Sequence, residues 1–150
     1  MLSPSSRSRS DVVMVKKVIG IDFGEARIGI AIGDEELKVA VPLTTIDAKK
    51  NEPIEALRKI IEEHDVNKAV VGLPLGLSGK EGRLAVLARN FAKRIREEIG
   101  IEVEMVDERF TSVMAERSVR SLGMKPSRQK KKVDMIAATL ILQSYFDARR

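Results

Sequence analysis

The fold is decided by the stretch Lys17–Gly24, whose sequence is KVIGIDFG. Its Val, Ile and Phe residues favour a strand, and apolar side chains at nearly every position indicate burial on both faces. Because side chains alternate along a strand, Gly20 and Asp22 share one face and Ile21 lies on the other. A buried carboxylate is costly unless a cation or several donors pair with it. We therefore expect Asp22 to belong to a site, with Gly20 leaving room beside it.

The composition is that of one globular domain. The chain has 150 residues, of which 43% are hydrophobic and 33% charged, enough for a sizeable core. Cysteine is absent, which excludes disulfides and cysteine-based zinc sites. The one histidine, His64, is predicted to be a surface residue, so histidine-cluster metal sites are excluded and histidine-dependent nucleophilic catalysis is disfavoured. No run reaches the roughly 18 apolar residues of a membrane span.

The first residues differ from the rest of the chain. Residues 1–13 are rich in Ser and Arg and lack apolar periodicity, so they are predicted to form a disordered arm. They could also be an upstream start, with Met14 as the functional first residue. Residues 14–150 are expected to form a single domain.

The pattern along that domain predicts an α/β fold. Strands are predicted at about 16–23, 27–33, 38–46, 68–73 and 101–106, helices at about 53–64, 81–99, 112–122 and 133–148, and a basic linker at 124–131. Short connections make the first three strands an antiparallel meander, with Pro42 placing the third at an edge. Right-handed crossovers place the last two strands parallel to the first. We expect a five-stranded mixed sheet, a three-stranded antiparallel meander plus two parallel strands, with helices on both faces.

Carboxylates fall where such a sheet binds its ligands, at the carboxyl ends of the parallel strands. Asp22 ends the first strand, Asp107 and Glu108 end the last one, and Asp134 is predicted in the first turn of the final helix. Without histidine or cysteine, these side chains form a hard-oxygen site that suits Mg²⁺ or Mn²⁺. Two such ions can clamp the attacking and leaving oxygens of a phosphodiester, and one can activate a water.

Each later carboxylate also has an ordinary interpretation. Asp134 could be a helix N-terminal acid that the macrodipole favours. Glu108 could form a surface ion pair with Arg109 or Arg27. Asp22 has the weakest such alternative, because it ends an apolar strand beside glycines.

The positive charge is concentrated in one part of the chain. Eight basic residues, opposed only by Glu116, fall between positions 109 and 132 and exceed the net charge of +5: Arg109, Arg117, Arg120, Lys125, Arg128, Lys130, Lys131 and Lys132. Most basic runs are solvated surfaces. Because this run lies between two candidate carboxylates, we favour phosphate binding.

Specific contacts to nucleic acid can be predicted from these charges. Arg27 and Arg109 could hold the scissile or adjacent phosphates, and Lys130, Lys131 and Lys132 the flanking ones. The loop from Gly72 to Gly79 could present backbone N–H groups to the nucleic-acid backbone. Aromatic residues make up only 3% of the chain, so base stacking is not expected to dominate.

Four motifs in order resemble the YqgF (RuvX) family: IDFG and RIG within 21–29, VGLPL at 71–75, DERFTS at 107–112, and VDMIAA and ILQ within 133–143. The resemblance implies an RNase H-like fold related to the RuvC resolvase and a cytoplasmic bacterial nuclease that uses a divalent metal. It places Asp22, Glu108 and Asp134 at the metal. Asp107 remains an alternative to Glu108 as the second ligand; strand geometry sends the two to opposite faces, and we favour Glu108.

The resemblance leaves several functions open. Family members are described as nucleases that process the 5′ end of precursor 16S rRNA and as Holliday junction resolvases. A non-catalytic RNA-binding factor of ribosome assembly is a further alternative. A phosphotransferase of the actin-like ATPase group is disfavoured, because those proteins need two such domains. We expect structured RNA or branched DNA as the partner, no membrane, and a monomer or weak homodimer, and we favour rRNA processing.

Overall fold

The structure is a computed structural model that describes residues 16–74, 82–108 and 126–149. The described residues form β1 (Lys17–Asp22), β2 (Arg27–Asp34), β3 (Ala40–Asp47), α1 (Pro53–His64), β4 (Val66–Leu73), α2 (Arg83–Arg94), a π-helical turn (Ile95–Ile99) that continues α2, β5 (Glu102–Asp107) and α3 (Pro126–Asp147). The predicted arm at 1–13 and the predicted helix at 112–122 lie outside these residues, so the domain boundary stays a prediction. No helix in the described ranges combines the length and apolar character needed to cross a membrane.

The five strands form one sheet in the order β3-β2-β1-β4-β5. The first three strands pair antiparallel, whereas β4 runs parallel to β1 and β5 parallel to β4. The predicted mixed sheet is thereby confirmed, with β3 at an edge. Because Ile21 pairs with Val71 and Leu73 pairs with Asp107, the carboxyl ends of β1, β4 and β5 meet at one end of the sheet.

The two faces of the sheet bury separate cores, as the alternation of side chains predicts. Ile19 and Ile21 face one way and pack in a cluster with residues of α1 and α2. Val18 and Val70 face the other way and pack against α3. Helices therefore cover both faces, and the side chains named are fully buried. Each contributes roughly 1.5–3 kcal/mol of hydrophobic stabilisation.

Helix α3 approaches the sheet so closely that it rests on glycines. A Cβ at Gly20 would lie 2.6 Å from the carbonyl oxygen of Ala138, and a Cβ at Gly33 would lie 2.8 Å from the ring of Phe146. The expectation that Gly20 leaves open room beside Asp22 was therefore wrong. The space above Gly20 is filled by the backbone of α3, which the absence of a side chain allows to come near.

Helix α3 also begins earlier than predicted. The prediction of a basic linker at 124–131 was wrong from Pro126 onwards, since Pro126–Asp147 is one continuous helix. Lys130, Lys131 and Lys132 are consequently helical residues. Lys and Gln are good helix formers, and Pro126 suits a first helical position, so a polar segment continues the apolar helix that follows it.

The helical segment made of α2 and its π-helical continuation ends at Ile99, where the sequence predicts. Its last turn widens into the π-helical segment, and Gly100 follows in the left-handed region with φ of 83°. Glycine adopts this conformation without the steric cost that a side chain would bring. The turn returns the chain to β5, whose end carries two of the candidate carboxylates.

Candidate active site

Asp22 lies at the end of β1, directly opposite Gly29 of β2. A Cβ at Gly29 would lie only 2.0 Å from the carbonyl oxygen of Asp134, so this glycine is what allows α3 to pass over the strand end. The register of the β1–β2 hairpin and the helix packing thus bring Asp22 and Asp134 into electrostatic contact, although they are far apart in sequence. We refer to Asp22, Glu108 and Asp134 together as the rim carboxylates.

Glu108 follows β5 and turns its side chain inwards. Its backbone N–H donates to the carbonyl of Leu73 at 3.2 Å, which extends the β4–β5 pairing by one residue. The side chain is only 7% exposed and sits over Gly72, where a Cβ would lie 2.9 Å from its Cδ. Its Oε2 is buried and has no hydrogen-bond partner among the described residues. Such an atom is costly unless something else binds it.

The carboxyl groups of Asp22 and Glu108 lie within hydrogen-bonding range of each other. Burial raises the pKa of Glu108, and the neighbouring charge of Asp22 raises it further. Burial also raises the pKa of Asp22, while the hydrogen bond with Glu108 partly offsets the rise. Two buried carboxylates cannot both ionise cheaply at this separation, so without a cation the pair shares a proton.

Asp134 is held by an arginine. Its Oδ2 accepts a hydrogen bond from Arg27 Nε at 2.6 Å, and the two side chains are 15% and 35% exposed, respectively. Burial raises the pKa of Asp134 in spite of the guanidinium, which acts in the opposite direction. Because Arg27 is the residue at which β2 begins, the ion pair joins α3 to the sheet at the same end as Asp22.

The ordinary interpretations of the later carboxylates are contradicted as far as the described residues test them. Asp134 lies well inside α3, which begins at Pro126, and so is not a helix N-terminal acid. Glu108 does not pair with Arg27, whose Nε is bonded to Asp134, and Glu108 is buried instead of at the surface. Arg109, the other proposed partner, lies outside the described residues.

The oxygen donors of Asp22 and Glu108 suit a divalent cation. Within residues 16–74, 82–108 and 126–149, no three acidic or histidine side chains stand in a ready-made metal-binding arrangement. Asp134 bonds to Arg27 instead. Asp22 and Glu108 do fit a hard cation: they supply only oxygen donors, one buried oxygen lacks a partner, and their mutual repulsion would be relieved by a positive ion.

The other predicted site residues are distributed around this pair. Asp107 is exposed, while the side chain of Glu108 is buried. Gly72 is a buried strand residue whose missing side chain makes room for Glu108, so it supports that carboxylate instead of lying in an exposed loop; residues 75–79 of the proposed loop lie outside the described residues. Lys130 and Lys131 are exposed on α3, and Lys132 is partly exposed.

Sequence reasoning missed the role of Gly29. It lies in the motif Arg27-Ile28-Gly29, and the hairpin register places it across from Asp22. Counting outward from the predicted turn at 24–26 pairs Asp22 with Ile28, one residue short of the observed partner Gly29. What the count could not show is that a helix more than one hundred residues later crosses this glycine.

A mixed five-stranded sheet with an acidic end defines the class of RNase H-like proteins, and solved structures agree with it. Thermus thermophilus RuvC is similar with a TM-score of 0.52 and 17% sequence identity, covering 89% of this chain and 95% of RuvC. The same protein in complex with a Holliday junction substrate is similar with a TM-score of 0.52 and 16% identity. At these identities the likeness concerns the fold.

The chain belongs to the RuvX family, described as Holliday junction resolvase, whose model matches residues 16–148. A relative from Chloroflexus aurantiacus is 44% identical over 134 residues, which cover 89% of this chain and 88% of the relative. A relative from Methylobacillus flagellatus is 45% identical over 131 residues, with 87% and 90% covered. Both relatives bear the name "Putative pre-16S rRNA nuclease". The resemblance drawn from the four motifs is confirmed.

Proposed function

We propose that the protein is a divalent-metal-dependent nuclease that hydrolyses phosphodiester bonds at the 5′ end of precursor 16S rRNA. The nuclease activity follows from family membership, because the family description and the relatives' names all denote enzymes that cut nucleic acids. The dependence on a divalent metal and the choice of precursor 16S rRNA as substrate are proposed here. A cytoplasmic location goes with it, because bacterial rRNA precursors are made in the cytoplasm.

One observation carries the metal dependence: the Glu108 carboxyl group is buried against Asp22, and its Oε2 has no hydrogen-bond partner among the described residues. An amide or apolar residue in place of one of these acids would remove the cost of burying two carboxyl groups together, so stability alone does not account for the pair. We assign Asp22 and Glu108 as ligands of Mg²⁺ or Mn²⁺, with Asp134 joining them when Arg27 releases it. When bound, such an ion lowers the pKa of a water and neutralises charge at the reacting phosphate.

The basic residues have separate tasks in this proposal. Arg27 lies against Asp134 and is placed to donate hydrogen bonds to a phosphate that approaches the rim carboxylates. Lys130, Lys131 and Lys132 hold flanking phosphates, with Lys130 and Lys131 exposed on α3. Each lysine that pairs with a phosphate displaces about one counterion from the nucleic acid. Removing one lysine should therefore lower the slope of log affinity against log salt concentration by about one unit.

Substrate and metal are tested together by cleavage. Wild-type protein is incubated with Mg²⁺ or Mn²⁺ and, in parallel, with an RNA that contains the 5′ precursor region of 16S rRNA and with a four-way DNA junction. The RNA should be cut, and Asp22→Asn should lower the rate by on the order of 10²–10³-fold while leaving RNA binding intact. Asp65→Asn is the matched control: Asp65 is an exposed acid at the end of α1, where its left-handed conformation also suits asparagine.

A second function is favoured by the family description, which names Holliday junction resolution. Symmetric resolution of a four-way junction requires two active sites and hence a dimer. Cleavage of the junction alone, by a species with twice the mass of the chain, would replace rRNA processing with resolution. If neither substrate is cut while RNA is bound, the protein is a non-catalytic RNA-binding factor.

A further inference from the structure

A cavity of about 330 Å³ opens beside Arg27, the ion-pair partner of Asp134, between β2, the edge strand β3 and α3. It is lined by Arg27, Leu43, Thr44, Thr45, Asp47, Lys131 and Met135. Two of these residues tie it to the site: Arg27 is the residue that bonds to Asp134, and Met135 follows Asp134 in the chain. A group bound in the cavity would therefore lie against Arg27, the side chain that the proposed function assigns to a phosphate.

Hydroxyl and ammonium groups give the cavity its polar character. Thr45 belongs to β3 and lies opposite Gly29 of β2. Its Oγ1 donates to the backbone carbonyl of Lys131 at 3.3 Å, which fixes the hydroxyl between strand and helix. A hydroxyl that donates one hydrogen bond can still accept others. The side chain of Lys131 is exposed and supplies a positive charge at the same place.

The acid of the cavity is already engaged. The carboxylate of Asp47 accepts hydrogen bonds from the backbone N–H groups of Lys49 at 3.0 Å and Lys50 at 3.3 Å. These bonds order the turn that follows β3 and partly offset the negative charge. Leu43 and Met135 add apolar surface to the lining. The cavity thus combines a cation, a hydroxyl acceptor and an apolar wall.

That combination matches one nucleotide of an RNA strand. The volume is at the lower end of small-ligand sites, which is enough for a sugar and its phosphate. The lysine suits the phosphate, the apolar wall suits the carbon face of the sugar, and the threonine oxygen can accept a hydrogen bond from a ribose 2′-hydroxyl. The 2′-hydroxyl is the group by which a protein distinguishes RNA from DNA at a given position.

We propose that this cavity is a ribose-recognition subsite that binds the nucleotide beside the scissile phosphate, with Thr45 accepting from its 2′-hydroxyl and Lys131 pairing with its phosphate. The inference rests on the proposed nuclease function and extends it by giving a structural reason for a preference for RNA over DNA. Thr45 and Lys131 act in binding and take no part in the chemical step.

The test removes single hydroxyls from both partners. A short RNA that spans the cleavage position is made with one 2′-deoxynucleotide at each position in turn, and its affinity for Asp22→Asn protein is measured. The RNA with a 2′-deoxynucleotide at one position next to the cleavage site should bind about fivefold more weakly than the unmodified RNA. This difference corresponds to the loss of one ordinary hydrogen bond. In the background Thr45→Val the same deoxy substitution should have no further effect, whereas Thr45→Ser should keep the sensitivity.

Charge is tested in the same assay. Lys131→Gln should weaken binding of every RNA and lower the salt slope by about one unit, whereas Lys93→Gln, an exposed lysine of α2 on the opposite face of the sheet, should not. The subsite is overturned if no single deoxy substitution matters, or if Thr45→Val leaves that sensitivity unchanged. Because binding is measured without cleavage, these outcomes are separate from a failure of the nuclease proposal, which would appear as wild-type protein that cuts no RNA.

Discussion

Helix α3 packs against the sheet at both of its ends, and acidic side chains lie near each end. The two ends differ in whether those acidic side chains are fully paired within the chain. At one end lie the rim carboxylates, where Glu108 has a buried oxygen without a partner among the described residues. At the other end lies a group that we call the anchor cluster: Lys68, Glu102, Glu104, Tyr145 and Arg149. Both regions bring acidic side chains to the edge of the same helix, so the comparison isolates what the pairing of charges does.

The anchor cluster satisfies its charges. Lys68, whose side chain is only 12% exposed, forms ion pairs with Glu102 at 3.0 Å and Glu104 at 3.3 Å. Arg149 bonds to Glu104 at 2.8 Å and stacks on the ring of Tyr145 at 3.7 Å. Burial alone would lower the pKa of Lys68, but its contacts with Tyr145 and the two acids raise it instead. This region fastens α3 to β4 and β5.

The difference indicates a division of labour. Charges that serve stability are paired within the chain, as in the anchor cluster. Asp22 and Glu108 instead have raised pKa values, and one buried oxygen of Glu108 has no partner among the described residues, a state that lowers stability and leaves oxygen donors available to a cation. The following predictions test whether the two ends differ in this way.

The largest effect is expected from Gly29→Ala. The new methyl group would meet the Asp134 backbone at 2.0 Å, so α3 must shift away from β2 at the rim end. The free energy of unfolding should fall by roughly 1–3 kcal/mol, and cleavage should be lost with the displacement of Asp134. Chemical denaturation and a cleavage assay measure the two effects.

Gly82→Ala provides the matched control. Gly82 precedes α2 in an extended conformation, and a Cβ there would meet nothing within 4 Å. Its cost should stay near or below about 1 kcal/mol, the usual range for a changed helix cap, with cleavage retained. If Gly29→Ala behaves like this control, the close approach of α3 at the rim is not real.

The second prediction contrasts one acid from each end. In the absence of divalent ions at neutral pH, Glu108→Gln should stabilise the protein by about 1–3 kcal/mol, because the amide needs no proton to be buried. Glu104→Gln should destabilise it by about 0.5–1 kcal/mol, since Glu104 is partly exposed and its ion pairs with Lys68 and Arg149 are weakened. Thermal unfolding of both variants in chelator measures the shifts. Shifts of the same sign would remove the contrast between the two ends.

A third prediction concerns pH and is measured on the same chelated protein. Because the folded state raises the pKa of Glu108 above its ordinary value of 4.5, the unfolded chain loses this proton first as pH rises. The proton on Glu108 therefore contributes to the free energy of unfolding. This contribution is fully present below pH 4.5 and is lost as pH rises through the raised pKa of the folded state, at up to about 1.4 kcal/mol per pH unit. Glu108→Gln should flatten the slope above pH 4.5, and a wild-type slope that is already flat there would contradict the shared proton.

The sequence predicted much of this arrangement because local patterns govern it. The alternation in Lys17–Gly24 set the two faces of β1, and the short connections set the meander. Alternation along the strand predicted that Asp107 and Glu108 point to opposite faces, and the family resemblance favoured Glu108 as the ligand. These inferences need only neighbouring residues.

The rest depends on contacts between distant residues. The hydrogen bond between Arg27 and Asp134 joins residues that are 107 positions apart in the sequence, and the hydrophobic periodicity of the chain does not predict it. The linker predicted before Val133 was wrong because lysines are compatible with either a loop or a helix, and tertiary packing of the following apolar residues decides. The space above Gly20 belonged to α3, whose crossing point is set by the whole sheet.

The central claim is that Asp22 and Glu108 jointly hold a divalent ion. The most direct measurement is anomalous diffraction from crystals of the protein soaked with Mn²⁺, with data collected above and below the manganese edge. We expect an anomalous peak between the Asp22 and Glu108 carboxylates that is absent from Asp22→Asn crystals. A fully soaked crystal in which the two carboxyl groups remain in contact with no peak between them would contradict it.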